Sequence, residues 1–320
     1  MSNEGPARAP IDLAPFTSAE EVQAYLRATR TWGRWGADDQ RGAFNLIDDA
    51  ARVRAAALVR EGVAVSLSRP LATEPGPGNP RPVGHFMEKG RRKAGAGVAR
   101  DYLTLGSHGT TTTHLDALSH VWDGDGLWGG ADPDEAIQFD GARWGSIEHW
   151  RTGFFTRTVL LDVTAHRQAP YVTVDRPVVA AELEATLAET GLQLQPGDAI
   201  AVYSGRDRWD EDQPPYGSDS AKADESTRPG LDVSCLKFLH EHDVSLLAWD
   251  MTDSRPIAFG LAYGVHAAIY AYGVALIDSS ELGQLVRTAD RLGRRDFLLV
   301  VAPLYLRGGT ATPVNPIAVF

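Results

Sequence analysis

The sequence predicts a mixed α/β fold, because short apolar segments typical of buried strands alternate with segments of helical periodicity. Two further observations support this class. The chain of 320 residues is 43% hydrophobic, which is enough for a large core. A β-rich stretch from about 63 to 122 precedes most of the alternating segments. We therefore expect a mixed α/β or α+β core rather than a helix bundle or a β-sandwich.

The predicted strands are short and apolar on both faces, which is typical of strands covered on both sides of a sheet. They span residues 63–67, 157–163, 199–203, 244–249 and 297–301.

The predicted helices begin with a capping signal at Ser18. Ser18 opens the pattern Ser-x-x-Glu, in which the hydroxyl binds a free backbone N–H of the first turn, and apolar residues follow at helical spacing. Helical spacing also predicts helices over 48–59, 175–189 and 233–242, and a further one from near residue 263.

Two segments lack this periodicity. Residues 1–16 are rich in Pro and Ala, which predicts an N-terminal arm lying on one domain that spans 17–320. Residues 73–100 are dense in Gly, Pro and basic side chains. That composition predicts a long mobile loop, and such loops are often lids.

Charge and cysteine content restrict the partners and the compartment. The net charge of −11 repels phosphate backbones, so nucleic acid is not expected as a partner. Cys235 is the one cysteine, which excludes an intramolecular disulfide and a cysteine-rich zinc module. The start resembles no secretory signal, and the longest apolar run, 264–277, is too short to span a bilayer. We expect a cytoplasmic protein that acts on a small molecule, away from membranes.

Chemistry-bearing side chains concentrate in residues 107–130, which hold three of the nine histidines and three aspartates. If 110–116 is extended, His114 and Asp116 point from the same strand face and form half of a site for a divalent metal. His120 follows four residues later, near enough to share the pocket. The residues alone leave a second interpretation open, in which hydrogen-bonded histidines and turn-forming aspartates surround a Gly-rich loop.

The string Thr-His-Leu-Asp-Ala-Leu-Ser-His at 113–120 resembles the signature of the metal-dependent cyclase family, His-x-Gly-Thr-His-x-Asp-x-Pro-x-His. That family includes bacterial kynurenine formamidase and isatin hydrolase. Residues 31–47, 65–70, 196–198 and 308–320 resemble other parts of its longer members, so the likeness covers roughly 30–320. The resemblance implies a swivelling β/β/α cyclase-like single domain and a homodimer or homotetramer.

The resemblance also implies roles for individual residues. It makes His114 and Asp116 metal ligands and His120 the acid/base histidine. It further pairs a histidine with a carboxylate twelve residues later, a spacing that His266 and Asp278 have. From the residues alone, the ordinary interpretation of His266 is a core histidine of an apolar helix, and Asp278 is either a buried carboxylate with a partner or the cap of a helix beginning at 279.

The chain departs from the family pattern at four positions. Thr110 stands where the first ligand histidine is expected, Thr112 replaces Gly, Leu118 replaces Pro, and Asp278 replaces the usual Glu. His108 precedes the missing ligand by two residues and replaces it only if the strand bulges there. With one imidazole lost and one carboxylate shortened, we expect one divalent ion, Zn²⁺ or Mn²⁺.

A flat aromatic substrate needs several aromatic faces around it. The candidates for substrate contact are His108, Trp122, Trp128, Trp35 and Phe86.

The sequence thus predicts a metal-dependent hydrolase of a small cyclic or aryl amide, imide, lactone or formamide, with metal-activated water and a histidine acid/base. Two alternatives remain open: a metal-assisted cyclase or dehydratase of a biosynthetic pathway, and a metal-free, non-catalytic ligand-binding relative.

Overall fold

The computed structural model describes residues 12–76, 78–217 and 227–320. Residues 1–11, most of the predicted arm, lie outside the described residues. The described end of that arm lies against the body of the protein, because Phe16 is buried and the Lys237 ammonium donates to the Ala14 carbonyl at 2.7 Å.

Within the described residues, nine strands form one sheet in the order β1-β13-β11-β7-β8-β9-β10-β4-β12. Strands β7 to β10 run parallel to one another, and the remaining pairs are antiparallel. The five predicted strands are present as β1, β7, β8, β9 and β11. The strands are β1 (Ala64–Ser66), β2 (Gly84–Arg91), β3 (Gly97–Thr104), β4 (His114–Asp116), β5 (Ile137–Gln138), β6 (Gly141–Ala142), β7 (Phe154–Asp162), β8 (Ala199–Tyr203), β9 (Leu246–Trp249), β10 (Ala275–Asp278), β11 (Asp296–Val301), β12 (Ala311–Pro313) and β13 (Ile317–Val319).

The predicted helices are present, with shorter bounds than the periodicity indicates. The Ser18 hydroxyl caps the first helix by accepting from the Glu21 N–H, and Asp48 caps the second in the same way. The helices are α1 (Ala19–Thr29), α2 (Asp49–Ala56), α3 (Pro133–Ala136), α4 (Val163–Arg167), α5 (Ala180–Glu189), α6 (Arg206–Asp212), α7 (Cys235–Glu241), α8 (Ala267–Tyr272) and α9 (Gly283–Leu292).

The predicted loop at 73–100 is wrong over its second half, where β2 and β3 form an antiparallel hairpin. Its residues are largely exposed, so the pairing is held by cross-strand contacts rather than by a core. Glu88 accepts hydrogen bonds from Arg100 and Tyr102 on the facing strand. Gly and basic residues, which predicted a loop, here lie on an exposed two-stranded ribbon.

The extended segment predicted at 110–116 is also shorter than expected, because only the last three residues form β4. Gly109 has a φ of +137°, which turns the chain before the threonines. The threonine carbonyls then make contacts outside the sheet: Thr110 accepts from the Arg206 guanidinium, and Thr112 accepts from the His114 ring.

Strand β4, which contains His114 and Asp116, lies between β10 and β12 near one end of the sheet and is antiparallel to both. In this register His114 lies opposite Asp278 on β10 and opposite Pro313 on β12. Antiparallel neighbours that lie opposite each other have Cβ atoms about 5 Å apart. Two residues distant in sequence are thereby brought to one point of the sheet face.

In the part of the chain that the structure describes, no helix is both long and apolar enough to cross a membrane.

Candidate metal centre

The Asp116 carboxylate is fully buried and lies at the centre of four imidazole rings. Its Oδ1 lies 3.0 Å from His108 Nδ1 and 3.4 Å from His114 Nε2. Its Oδ2 lies 3.8 Å from both His120 Nε2 and His266 Nε2. The structure therefore brings the predicted motif and the distant His266 together around one carboxylate.

Both Asp116 oxygens and His108 Nδ1 are buried, and although Asp116 Oδ1 and His108 Nδ1 lie 3.0 Å apart, none of these atoms makes a well-directed hydrogen bond among the described residues. A buried carboxylate whose oxygens lack well-directed hydrogen bonds is costly, and such groups are normally paired with cations or coordinate a metal. Two overlapping sets of donors have their ligand atoms within 4.8 Å of one another: His108, Asp116 and His120, and His114, Asp116 and Asp278. Imidazole and carboxylate donors suit Zn²⁺ or Mn²⁺. The residues present thus fit a divalent ion.

The His114 ring is fixed from behind by the backbone. Its Nδ1 donates to the Thr112 carbonyl at 2.8 Å, and its Nε2 lies 3.4 Å from Asp116 Oδ1. Metal-ligating histidines usually have their second nitrogen held in this way. The turn that shortens β4 therefore also orients the ligand.

The His266 ring is fixed by a carboxylate. His266 immediately precedes α8, and its Nδ1 donates to Asp253 Oδ2 at 2.6 Å, which points Nε2 towards Asp278 and Asp116. Burial opposes a charge on this ring, but Asp253 and Asp278 outweigh it and raise the pKa of His266 well above its ordinary value. Sequence reasoning missed Asp253; its only signal is a carboxylate placed just after the buried strand β9.

Asp278 accepts from the Trp249 indole N–H at 2.5 Å and lies 3.3 Å from His266 Nε2. Burial favours the neutral acid, yet His266 and the hydrogen bonds lower the pKa of Asp278, so it is ionised. The following helix begins at Gly283, so Asp278 does not cap it. The structure therefore excludes the helix-cap interpretation of Asp278, whose carboxylate faces the histidine cluster.

His108 and His120 form a second pair, with rings stacked 3.9 Å apart and only 12° from parallel. His108 reaches this position through the turn at Gly109, without a bulge in a strand, and its Nε2 lies 3.1 Å from the Thr310 hydroxyl. Burial lowers the pKa of His120 to about 4, although Asp116 acts in the opposite direction. His120 is therefore a neutral imidazole at pH 7.

A cavity of about 180 Å³ opens onto this cluster. The four imidazoles and Asp278 line it, together with Thr110, Arg228, Thr252, Arg255 and Tyr263. A second cavity of about 270 Å³ shares Tyr263 with the first and is more apolar, with walls from Val22, Leu26, Trp122, Leu261 and Tyr270. A polar cavity thus lies beside a mainly apolar recess.

A family model described as "Putative cyclase" matches residues 30–254 of this chain. The chain belongs to the cyclase family. A solved structure described as a novel cyclase is 30% identical, with a TM-score of 0.81, and the match covers 92% of this chain and 99% of that one. The predicted cyclase-like α/β fold is therefore confirmed.

Two isatin hydrolase structures share the fold at lower identity. Isatin hydrolase A from Ralstonia solanacearum is 19% identical, with a TM-score of 0.54, covering 84% of this chain and 95% of that one. An isatin hydrolase bound to the product analogue thioisatinate is 17% identical, with a TM-score of 0.53, covering 94% and 98%. No match was found among curated proteins.

The aromatic side chains predicted to contact substrate are dispersed in this cyclase-family chain. Trp122 lines the apolar recess. Trp128 is buried in the core, where its indole N–H donates to the Asp39 carbonyl and its ring lies 6.2 Å from that of Trp35. Phe86 is 63% exposed on the β2–β3 hairpin. Among the described residues, Trp128, Trp35 and Phe86 line neither cavity, because core packing and the hairpin hold them elsewhere.

Proposed function

We propose that this cyclase-family protein is a metal-dependent hydrolase of a small cyclic or aryl amide, imide, lactone or formamide. The observation that carries the proposal is the buried Asp116 carboxylate, which makes no well-directed hydrogen bond among the described residues and is surrounded by four imidazoles. His114, Asp116, His266 and Asp278 would hold one Zn²⁺ or Mn²⁺. When bound, such an ion activates water and polarises a carbonyl group.

In this proposal His120 moves the proton. It faces the reaction cavity, and its neutral ring accepts a proton from the attacking water and returns it to the leaving nitrogen or oxygen. His120 Nε2 is 3.8 Å from Asp116 Oδ2, so the imidazolium formed during the reaction has a carboxylate beside it. That neighbour stabilises the charge for the time needed to protonate the leaving group.

The apolar recess next to the cavity supports an aryl or cyclic substrate. Trp122 and Tyr270 supply aromatic faces, and Tyr263 forms the wall shared by both spaces. We infer that the substrate places its scissile carbonyl in the polar cavity and its ring in the recess beside it. The two neighbours named isatin hydrolases favour hydrolysis, whereas the family description favours ring closure.

Incorporation of labelled oxygen separates these reactions. The purified, metal-loaded protein is incubated in ¹⁸O-water with a panel of aryl formamides, cyclic imides and lactones, and with the open-chain acids that would close to the same imides and lactones. Hydrolysis places one label in the carboxylic acid or formate product, whereas ring closure releases water and leaves the product unlabelled. Turnover without label in the product would overturn the hydrolase proposal.

The assembly expected from the resemblance, a homodimer or homotetramer, is also part of the proposal. Light scattering of the purified protein tests it, and a monomer at micromolar concentration would contradict it.

A further inference from the structure

The indole of Trp249 lies behind the Asp278 carboxylate. Asp278 lines the polar cavity, whereas Trp249 is fully buried and, among the described residues, is not part of the cavity wall. We propose that Trp249 is a positioning residue of the metal centre, whose N–H binds one oxygen of Asp278 and leaves the other oxygen to hold the ion. The inference rests on the metal centre of the proposed function, but it does not depend on which bond the protein hydrolyses.

The sheet places Trp249 and Asp278 side by side. They are the last residues of β9 and β10, which pair in parallel with Ala248 opposite Ile277. The next residues along both strands are therefore neighbours on one face of the sheet. The Trp249 carbonyl also accepts from the Ser280 N–H at 2.9 Å, which holds the turn after β10 against the end of β9. The backbone thus sets the indole beside the carboxylate.

The hydrogen bond from the indole gives the two oxygens of Asp278 different surroundings. Trp249 Nε1 donates to Oδ1 at 2.5 Å, whereas Oδ2 lies 3.3 Å from His266 Nε2 and faces the histidine cluster. An indole is a donor only, so this contact has one possible direction and needs the carboxylate as acceptor. One oxygen is therefore bound within the protein, and the other is available as a single ligand atom.

Burial keeps the carboxylate in this orientation. Trp249 is fully buried and Asp278 is only 6% exposed, so water has little access to the hydrogen bond between them. If the carboxylate turned so that both oxygens faced the cluster, the indole N–H would be buried without an acceptor, which is costly. The indole therefore opposes rotation of the Asp278 side chain.

The same indole packs against a second proposed ligand. The ring centroids of Trp249 and His266 lie 5.4 Å apart, with the ring planes tilted by 40°. Trp249 thus contacts two of the four proposed ligands, His266 and Asp278, from outside the cavity. Orienting partners of this kind raise the affinity of a site for its metal, because they hold the ligand atoms where the ion needs them.

The zinc affinity of Trp249→Phe tests the role of the N–H, because phenylalanine keeps a buried aromatic ring and removes the donor. Competition with a zinc indicator measures the affinity without turnover. We expect a loss of about 10- to 100-fold, as for other partners that orient metal ligands. Trp150→Phe is the matched control and should keep the wild-type affinity. Trp150 is also fully buried, but its indole donates to the Arg41 backbone carbonyl at 3.0 Å and not to a proposed ligand.

A double-mutant cycle shows whether Trp249 acts through Asp278. In an Asp278→Ala background, Trp249→Phe should change the zinc affinity little, because the carboxylate that the N–H orients is absent. The melting temperature should fall in both backgrounds, since the smaller ring leaves the same space in the core. A merely structural role for Trp249 would instead lower the zinc affinity by the same factor in both backgrounds, and that result would contradict the proposal.

The indole N–H also reports on zinc binding in the wild-type protein. In protein labelled with ¹⁵N at its tryptophans, the signals of Trp249 and Trp150 are identified by their loss from the spectra of the two phenylalanine variants. Saturation with Zn²⁺ should shift the Trp249 signal and leave the Trp150 signal in place. This measurement does not depend on how well either variant folds.

The outcomes separate this inference from the proposed hydrolase. Wild-type zinc affinity in Trp249→Phe, or a Trp249 signal that zinc does not shift, would overturn the positioning role whatever bond the protein hydrolyses. A loss of affinity in Trp249→Phe but not in Trp150→Phe, in a protein that hydrolyses none of the tested bonds, would retain the positioning role and contradict the hydrolase. A wild-type protein that binds no zinc would overturn both.

Discussion

The two pairs of histidines around Asp116 differ in how their rings are held. His114 and His266 each have Nδ1 fixed by an acceptor behind the ring, a carbonyl in one case and a carboxylate in the other. His108 and His120 instead stack on each other, and their side chains are 34% and 24% exposed. A ring with a fixed tautomer suits a metal ligand, whereas a partly exposed neutral ring suits proton transfer.

This difference shows that two histidines of one motif can be held in different ways. His114 and His120 are six residues apart on one short segment, yet only His114 has a hydrogen-bond acceptor behind its ring in the structure. His266 comes from another part of the chain and resembles His114 in this respect. An acceptor at Nδ1 distinguishes His114 and His266 from His120, whereas the far nitrogen of His108, Nε2, lies 3.1 Å from the Thr310 hydroxyl.

Removal of the metal ion tests the pair His114 and His266, and we expect it to have the largest effect on activity. Dialysis against a chelator should abolish turnover, because a neutral water is a poor nucleophile at pH 7, and added Zn²⁺ or Mn²⁺ should restore it. Activity and metal content are measured on the same samples. Full activity in protein shown by elemental analysis to be metal-free would exclude the mechanism.

His120→Ala tests the stacked pair. Loss of a positioned acid/base should lower turnover by about 10²- to 10⁴-fold while metal content and melting temperature change little. His240→Ala, at a partly exposed histidine on α7, serves as the control. Parallel loss of metal and activity in His120→Ala would make His120 a ligand and erase the distinction between the pairs.

Asp253→Asn tests whether the acceptor behind His266 matters. The Asp253 carboxylate accepts from both the His266 ring and the Val265 N–H, and an amide can accept with only one of its two ends. Affinity for the ion should fall about 10- to 100-fold, as for other orienting partners of ligating histidines. Competition with a metal indicator measures it, with the exposed Asp140→Asn as control. An unchanged affinity would contradict an orienting role.

The number of bound ions per chain is the prediction with the smallest expected effect, and it distinguishes the two pairs of histidines directly. Wild-type protein should retain about one divalent ion per chain after extensive dialysis, and His108→Ala should leave that number unchanged. Elemental analysis provides the count. Two ions in the wild type and one in His108→Ala would show that the stacked pair is itself a metal site, built around the other oxygen of Asp116.

The sequence predicted much of the fold because its strands are buried on both faces and its helices begin at strong caps. Residues 199–203 form β8 with the predicted bounds, and Ser18 and Asp48 cap α1 and α2. The hairpin at β2–β3 was missed because its strands have no buried face, so the hydrophobic alternation that identifies a strand is weak there. Residues 110–113 do not form a strand, because Gly109 turns the chain immediately before them.

The candidate site was predictable only where it depends on spacing or resemblance. His114, Asp116 and His120 lie on one segment, and the family pattern added His266 and Asp278. Sequence order gave no means of seeing that Asp253 stands behind His266, or that a turn returns His108 to Asp116. The arginines at 228 and 255 are paired by a bridge between two irregular segments, which periodicity does not detect.

The position of β4 between β10 and β12 has a consequence for the order in which the protein assembles. Its neighbours in the sheet come from residues 275–278 and 311–313, far later in the chain. During synthesis β4 therefore has no neighbouring strand in the sheet until residues 275–278 and 311–313 have been made. Contacts of such long sequence separation form late in folding. The four proposed ligands, His114, Asp116, His266 and Asp278, are all present only after residue 278 has been synthesised. Added Zn²⁺ or Mn²⁺ should accordingly slow unfolding far more than it accelerates folding.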